Sequence, residues 1–359
     1  MTSLGAAKAL ARTMFNATLS TADLPRAVAS AIRSRDAVIR TFFANCAREL
    51  GDAARAIEER LSRNGRIYCF GRGVYSLDAA EFAAGLPASD VSLFRDAFMP
   101  LVRAEDVVVA FGPPRGDAAI ERATFRAKTL GVYTLAFSGK HADLNIPPIA
   151  EDEHLHEESI AIAAHLVAET VGVFRKRRAE KERASGVTVS ILQRAADAEA
   201  LRDIVAAREA ESIAGAIELI VRSIAAGGRL LLVAREESAT GAARWAWDSV
   251  APPDGLRAFP ALTVPAKPDA LAAQIRPHDV AIGISTRAAS RELIGLLDAA
   301  RRGGNQTIAL LGGDGGDVRQ RDVAQRTIVV PSSSLHRVAE VQTTVYHTIR
   351  HAVRWLQNE

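Results

Sequence analysis

The stretch RPHDVAIGISTRAAS, Arg276–Ser290, decides the fold. An acid, Asp279, leads a short apolar run from Val280 to Ile284, which stops at small hydroxyl residues. A continuous apolar run of this length, closed by turn residues, reads as a strand buried on both faces. Such strands belong to parallel sheets, whose crossover helices cover both sides. A helical pattern, ELIGLLDAARR, starts just after Ser290, so the unit is strand, turn, helix. Where a helix begins, free N–H groups and the macrodipole favour an anion. Ser285, Thr286 and Ser290 add hydroxyls there, and a phosphate monoester meets those needs. The same residues also read as a plain Ser/Thr cap with no ligand.

Working outward, the same order of elements occurs twice. AEDVVVAFGPPRGDAAIERATFRAKTLGVYTLAFSG in the first half parallels RPHDVAIGISTRAASRELIGLLDAARRGGNQTIALLGG in the second. Each has an acid-led strand, a turn, a helix, a glycine break and a second strand. Upstream, RNGRIYCFGRG parallels AAGGRLLLVAREES, each preceded by a long helical pattern that ends in glycine. Downstream, ADLNIPPI and RTIVVPSS are short strands closed by proline, and a long helix follows each. Strands alternating with helices at this spacing predict βαβ units. Two α/β domains are therefore expected, over residues 20–174 and 187–359, with the charged run RKRRAEKERASG, Arg175–Gly186, as a solvated helix end and linker.

The totals fit that division. The chain has 359 residues, 48% hydrophobic and 24% charged, with a formal charge of +3. A charge this small for the length argues against a dedicated nucleic-acid binder. The two cysteines, Cys46 and Cys69, have no ligand-like spacing, so no disulfide framework is expected and a cytoplasmic setting is the default. No apolar stretch approaches the roughly 20 residues of a membrane span. The first 20 residues lack the compact apolar core and cleavage site of a targeting signal.

The hydroxyl-rich turn after a parallel strand resembles the phosphate loop of sugar isomerase (SIS) domains. The segment GRGVYSLDAAEFAAGL and the helix-borne HEESIAIAAH resemble the phosphoheptose isomerase branch. The resemblance implies two tandem three-layer α/β/α sandwiches, each with a parallel five-stranded sheet behind a long helix. It implies aldose–ketose isomerisation of a sugar phosphate, by proton transfer through an enediol. It also implies a carboxylate and a histidine as proton carriers, often beside zinc.

Residue by residue, the match is divided between the halves. In the first, Glu81 stands where the family has a histidine metal ligand, and Gly85 where it has the carboxylate. His165 lies eight residues after Glu157, keeping a family spacing with Glu in place of Gln. His154 and His156 lie nearby, and zinc would fall to Glu81, Glu157 and His165. The first-half turn GPPRGD has no Ser or Thr, Pro113 and Pro114 remove donors, and Asp117 adds repulsion. In the second half, Ser238 matches a sugar-contacting serine, Asp248 the carboxylate and Gln342 the last-helix glutamine. Arg244 and Arg350 replace the expected histidines, while His347 and His351 are out of register.

One composite site is the expectation, with Ser285, Thr286 and Ser290 on phosphate, Asp248 as base and His165 as acid. The rival is a non-catalytic SIS protein, a sugar-phosphate sensor or scaffold, favoured by the lost first-half turn and the two arginines. The apolar last helix, with Trp355 and Leu356, points to a homo-oligomer, a dimer of tandem-domain chains.

Overall fold

The computed structural model describes residues 23–94, 102–149, 152–179, 186–234, 238–252 and 257–357. The N-terminal stretch weighed as a targeting signal, and residues 180–185 of the expected linker, lie outside the described residues. The chain forms two compact units. Among the described residues, one holds Ala37–Asp197; the other holds Ala198 onward together with residues 23–36.

In the first unit a long helix precedes the sheet: α2, Asp36–Leu61, the first helix α1 being Leu24–Arg33. Then come β1 (Ile67–Gly71), α3 (Tyr75–Ala84), β2 (Val91–Phe94), β3 (Val107–Phe111), α4 (Ala118–Thr129), β4 (Tyr133–Phe137), β5 (Leu144–Ile146) and α5 (Glu153–Ala179). Helix α6, Val187–Arg208, passes from this unit to the next. The second unit continues with α7 (Ala210–Ala225), β6 (Leu230–Ala234), α8 (Ala239–Val250), β7 (Ala261–Pro265) and α9 (Pro268–Ala272). It closes with β8 (Val280–Ser285), α10 (Arg291–Arg302), β9 (Gln306–Gly312), α11 (Gly316–Gln320), β10 (Arg326–Val330) and α12 (Leu335–Gln357).

Each unit has a five-stranded sheet, ordered β2-β1-β3-β4-β5 and β10-β9-β8-β6-β7. Read from the other edge, the second is the first repeated, and every pairing is parallel. Central strands β1, β3, β6 and β8 are almost wholly buried, as the apolar runs require. The edge strands β2 and β7 escape the sequence pattern because they are half-exposed, Leu93 being 46% exposed.

The repeat extends to single atoms. Asp106 accepts from the N–H of Arg66 at 2.8 Å and of Arg103 at 2.7 Å. Asp279 accepts from the N–H of Arg229 at 2.8 Å and of Arg276 at 2.9 Å. The acid that leads each central strand thus ties its start to the neighbouring strand. Beside it, Gly65 and Gly228 pass so close to the Glu105 and His278 carbonyls that a Cβ would lie 2.1 and 2.0 Å away. Any other residue would push the strands apart.

The units do not divide where the sequence places the linker. Helix α5 runs through Arg175–Ala179, where Arg178 pairs with Glu58 at 3.1 Å, and the division falls at residue 197, inside α6. Residues 24–36 join the second unit, not the first. Leu24, Ala27, Val28, Ala31 and Ile32 repeat at helical spacing and enter the second core beside Ile217, Ile220 and Val345. Asp36 and Arg202 add a buried ion pair at 2.6 Å. The long helix expected before β6 is broken at Glu209, whose buried carboxylate pairs with Arg319 at 3.2 Å. Trp355 and Leu356 pack against the second core. Among the described residues, no helix is long and apolar enough to cross a membrane.

Candidate functional site

Ligands in open parallel sheets sit beyond the carboxyl ends of the strands where the strand order reverses. In the second unit that point lies between β6 and β8. Ser238, 5% exposed, follows β6, and its hydroxyl accepts the Thr286 N–H at 2.9 Å. The turn after β8 is therefore hooked to the end of β6. Gln342 of α12 fixes the turn from behind, donating through Nε2 to the Ser285 carbonyl at 2.8 Å and the Leu310 carbonyl at 3.3 Å. Gly312 closes the third side, since a Cβ there would stand 2.1 Å from the Thr286 carbonyl oxygen.

Ser290 begins α10 as its N-cap, accepting from the Leu293 N–H at 3.3 Å. It is exposed, as are Arg287 and Ala288, while Thr286 is buried. The structure thus brings Ser238, Ser285, Thr286 and Gln342 into one bonded frame. Ser290 and the first turn of α10, whose leading N–H groups have no intrahelical acceptor, stand at its open side.

The matching point of the first unit is filled by the protein itself. Asp117 stands where Ser290 does, N-capping α4 through Oδ1, which accepts from Ala119 at 2.8 Å and Ile120 at 3.0 Å. Arg72, just after β1, clamps the same carboxylate at 3.0 Å. Burial raises the Asp117 carboxyl, but the two backbone donors and Arg72 outweigh it and hold it below its ordinary value. A carboxylate already occupies the place an anionic ligand would take.

Asp248 lies on α8 and is wholly buried. Arg350 Nη1 of α12 is 2.6 Å from its Oδ2, and His347 Nε2 is 3.7 Å away. Arg354 donates to the Asp248 carbonyl at 2.7 Å. Burial pushes the carboxyl up, but His347, Arg350 and Arg244 outweigh it and hold it below the usual range. The group is an ionised anchor between α8 and α12. His347, out of register with the family pattern, is fully buried beside it.

In the first unit, α3 and α5 bring Glu81 and His165 together, with Oε1 and Nε2 3.2 Å apart. His165 is buried and Glu81 is partly open. Glu157, His154 and His156 are all buried on α5. The ring of His156 faces the Gly112 carbonyl at 3.0 Å, and burial pulls its pKa down to about 4. It is a neutral donor that seals the end of β3. Sequence reasoning missed Arg72, His347 and His156 as partners because each meets its neighbour only through the tertiary fold.

No family model matches the chain. A phosphoheptose isomerase of Chlorobium limicola is 34% identical over 174 residues, which cover 42% of this chain and 78% of that protein. One from Citrifermentans bemidjiense is 32% identical over 156 residues, 38% of this chain and 80% of its own length. Among solved structures, a putative tagatose-6-phosphate ketose/aldose isomerase from Clostridium novyi NT matches 92% of the chain with a TM-score of 0.65 at 10% identity. The C-terminal domain of a glucosamine-fructose-6-phosphate aminotransferase from Francisella tularensis matches 89%, with a TM-score of 0.63 at 10% identity. At that identity the structures speak for the fold alone.

Proposed function

The chain belongs to the phosphoheptose isomerase family, and from that premise we propose that its second unit binds the phosphate of a phosphorylated sugar in the crevice between β6 and β8. The observation that supports this reading is the Ser238–Thr286 bond at the point of strand reversal, with Ser290 capping the adjoining helix. Phosphate would sit against the Ser290 hydroxyl and the first turn of α10, and the sugar would extend toward Ser238. The first unit contributes no second phosphate site, because Asp117 and Arg72 already pair there. Ser290→Asp tests the reading. Aspartate is as good an N-cap as serine, so the fold should be retained, while the added charge repels phosphate. Calorimetry with sedoheptulose 7-phosphate should show binding to the wild type and at least a tenfold loss in the variant; equal binding rules the site out.

A second reading is catalytic, and the Glu81–His165 pair favours it. Carboxylate and imidazole are the groups that move protons in an aldose–ketose exchange. Their 3.2 Å separation also suits two ligands of one tetrahedral zinc, which stand about 3.3 Å apart at ordinary bond lengths. Glu157 does not complete the expected set: it stands eight residues, about 12 Å, from His165 along α5, and among the described residues it shares no metal-ligand cluster with Glu81 and His165. Zinc held by the pair would act as a Lewis acid on the sugar oxygens. Asp248, held by Arg350, serves in this reading as an anchor of α8 and not as a base. Turnover of sedoheptulose 7-phosphate that disappears in His165→Ala establishes isomerisation; binding without turnover leaves a phosphosugar sensor. Metal analysis of purified wild type and His165→Ala decides the zinc assignment, and light scattering decides whether the chain dimerises.

A further inference from the structure

The first unit carries a groove that shares no residue with the Ser285–Ser290 turn. It has a volume of about 600 Å³ and runs between the N-terminal half of α2 and the segment that follows β5. That volume lies within the usual range for small-molecule sites, roughly 300–1,000 Å³. It opens at the carboxyl end of an edge strand, the end of a parallel sheet where ligands are received. Its walls are apolar: Val38 and Phe42 from α2, then Ile146, Pro147, Pro148 and Ile149.

Its polar groups are few, and among the described residues Glu49 is the one that carries a charge, Asn145 of β5 being neutral. Thr41, Asn45 and Glu49 line it from successive turns of α2. Oε2 of Glu49 is shielded from solvent and accepts no hydrogen bond among the described residues. Among the described residues, no Lys, Arg or His lines the groove. A shielded carboxylate oxygen without a donor is costly, and a cation drawn to the same carboxylate from the groove offsets that cost. Cys46 also lines the groove, and burial and the Glu49 charge push its thiol up to about 12, which disfavours the nucleophilic thiolate.

We infer that this groove is a binding site for a small primary amine on an apolar body, its ammonium held by Glu49 and its hydrocarbon laid against Phe42 and the Pro147–Pro148 wall. An ammonium supplies the positive charge that no described groove residue gives Glu49, and Asn45 and Thr41 offer further acceptors. An anion is repelled by Glu49. A neutral alcohol gains the apolar contact but not the charge-assisted bond.

The test titrates the full chain with phenethylamine, using 2-phenylethanol as the neutral isostere and 3-phenylpropionate as the anion, followed by ligand-observed NMR. The amine should bind at least about tenfold more tightly than the alcohol, a difference of about 1.4 kcal/mol, and the anion should not bind. Glu49→Gln should bring the amine down to the level of the alcohol. Ala37→Trp places bulk on an exposed rim position away from the core, so it should fold as the wild type and exclude both amine and alcohol. The inference is overturned if the amine does not bind, if amine and alcohol bind alike, or if Ala37→Trp leaves amine binding unchanged. Should Glu49→Gln fail to fold, Ala37→Trp alone decides.

Discussion

Asp117 and Ser290 occupy one position in two copies of a fold, and the difference between them is a charge. Both cap the helix after the third strand, but only Asp117 brings its own anion to the point of strand reversal. Asp117→Ala should cost about 1 kcal/mol by chemical denaturation, the usual value of an N-cap, and Asp117→Ser should recover most of it. Its folded carboxyl lies below the unfolded value, so the stabilisation is present above pH about 4 and fades as pH falls through the folded pKa. Asp248 makes a sharper case. Asp248→Asn removes the negative charge that faces the buried Arg350 at 2.6 Å, so unfolding of the second unit should become easier by about 3–5 kcal/mol. A catalytic base lost without structural consequence would leave the denaturation midpoint in place.

At the scale of elements, much of the fold is legible before any coordinates. The apolar runs of β1, β3, β6 and β8 name buried parallel strands, and the acids before β3 and β8 mark their starts. Ser290 reads as the start of a helix because a side-chain cap is a local device. Two kinds of feature are not legible. Edge strands β2 and β7 lack the double burial that makes a run continuous. Partner choice on α5 and α12 depends on what the sheet delivers to them: His347 and His156 look alike as letters, yet one faces a carboxylate and the other a backbone carbonyl. The candidate site was accordingly visible as a turn, whereas the pairing of Asp248 with Arg350 was not. His156 carries its own prediction. Its pKa falls from 6.5 to about 4 on folding, so protons bind the unfolded chain first. The first unit should lose up to about 3 kcal/mol as pH drops from roughly 6.5 to 4, with no further loss from this group below that. His156→Gln should flatten that part of the stability–pH curve, as denaturant titrations across the interval would reveal; an unchanged slope would assign it to other groups.

For the molecule as a whole, the decisive feature is the allegiance of α1. Ile32→Ala should lower the stability of the second unit by about 2–5 kcal/mol, the range for a buried aliphatic truncation. Hydrogen exchange should quicken in α7 and α12, which share its core, while α4 amides keep their protection.

That allegiance also sets a timetable for biosynthesis. The apolar face of α1 is among the first described residues to leave the ribosome, and its mate Val345 is among the last. With about 300 residues between them, and translation at roughly 5–20 residues per second, the helix waits on the order of 15–60 s for its seat. The first unit can complete its own core during that interval, as a guest folded inside an unfinished host. Leu24, Val28 and Ile32 stay incompletely covered until α12 joins α7 around them, which makes this short helix the natural handhold for a holdase chaperone acting on the nascent chain.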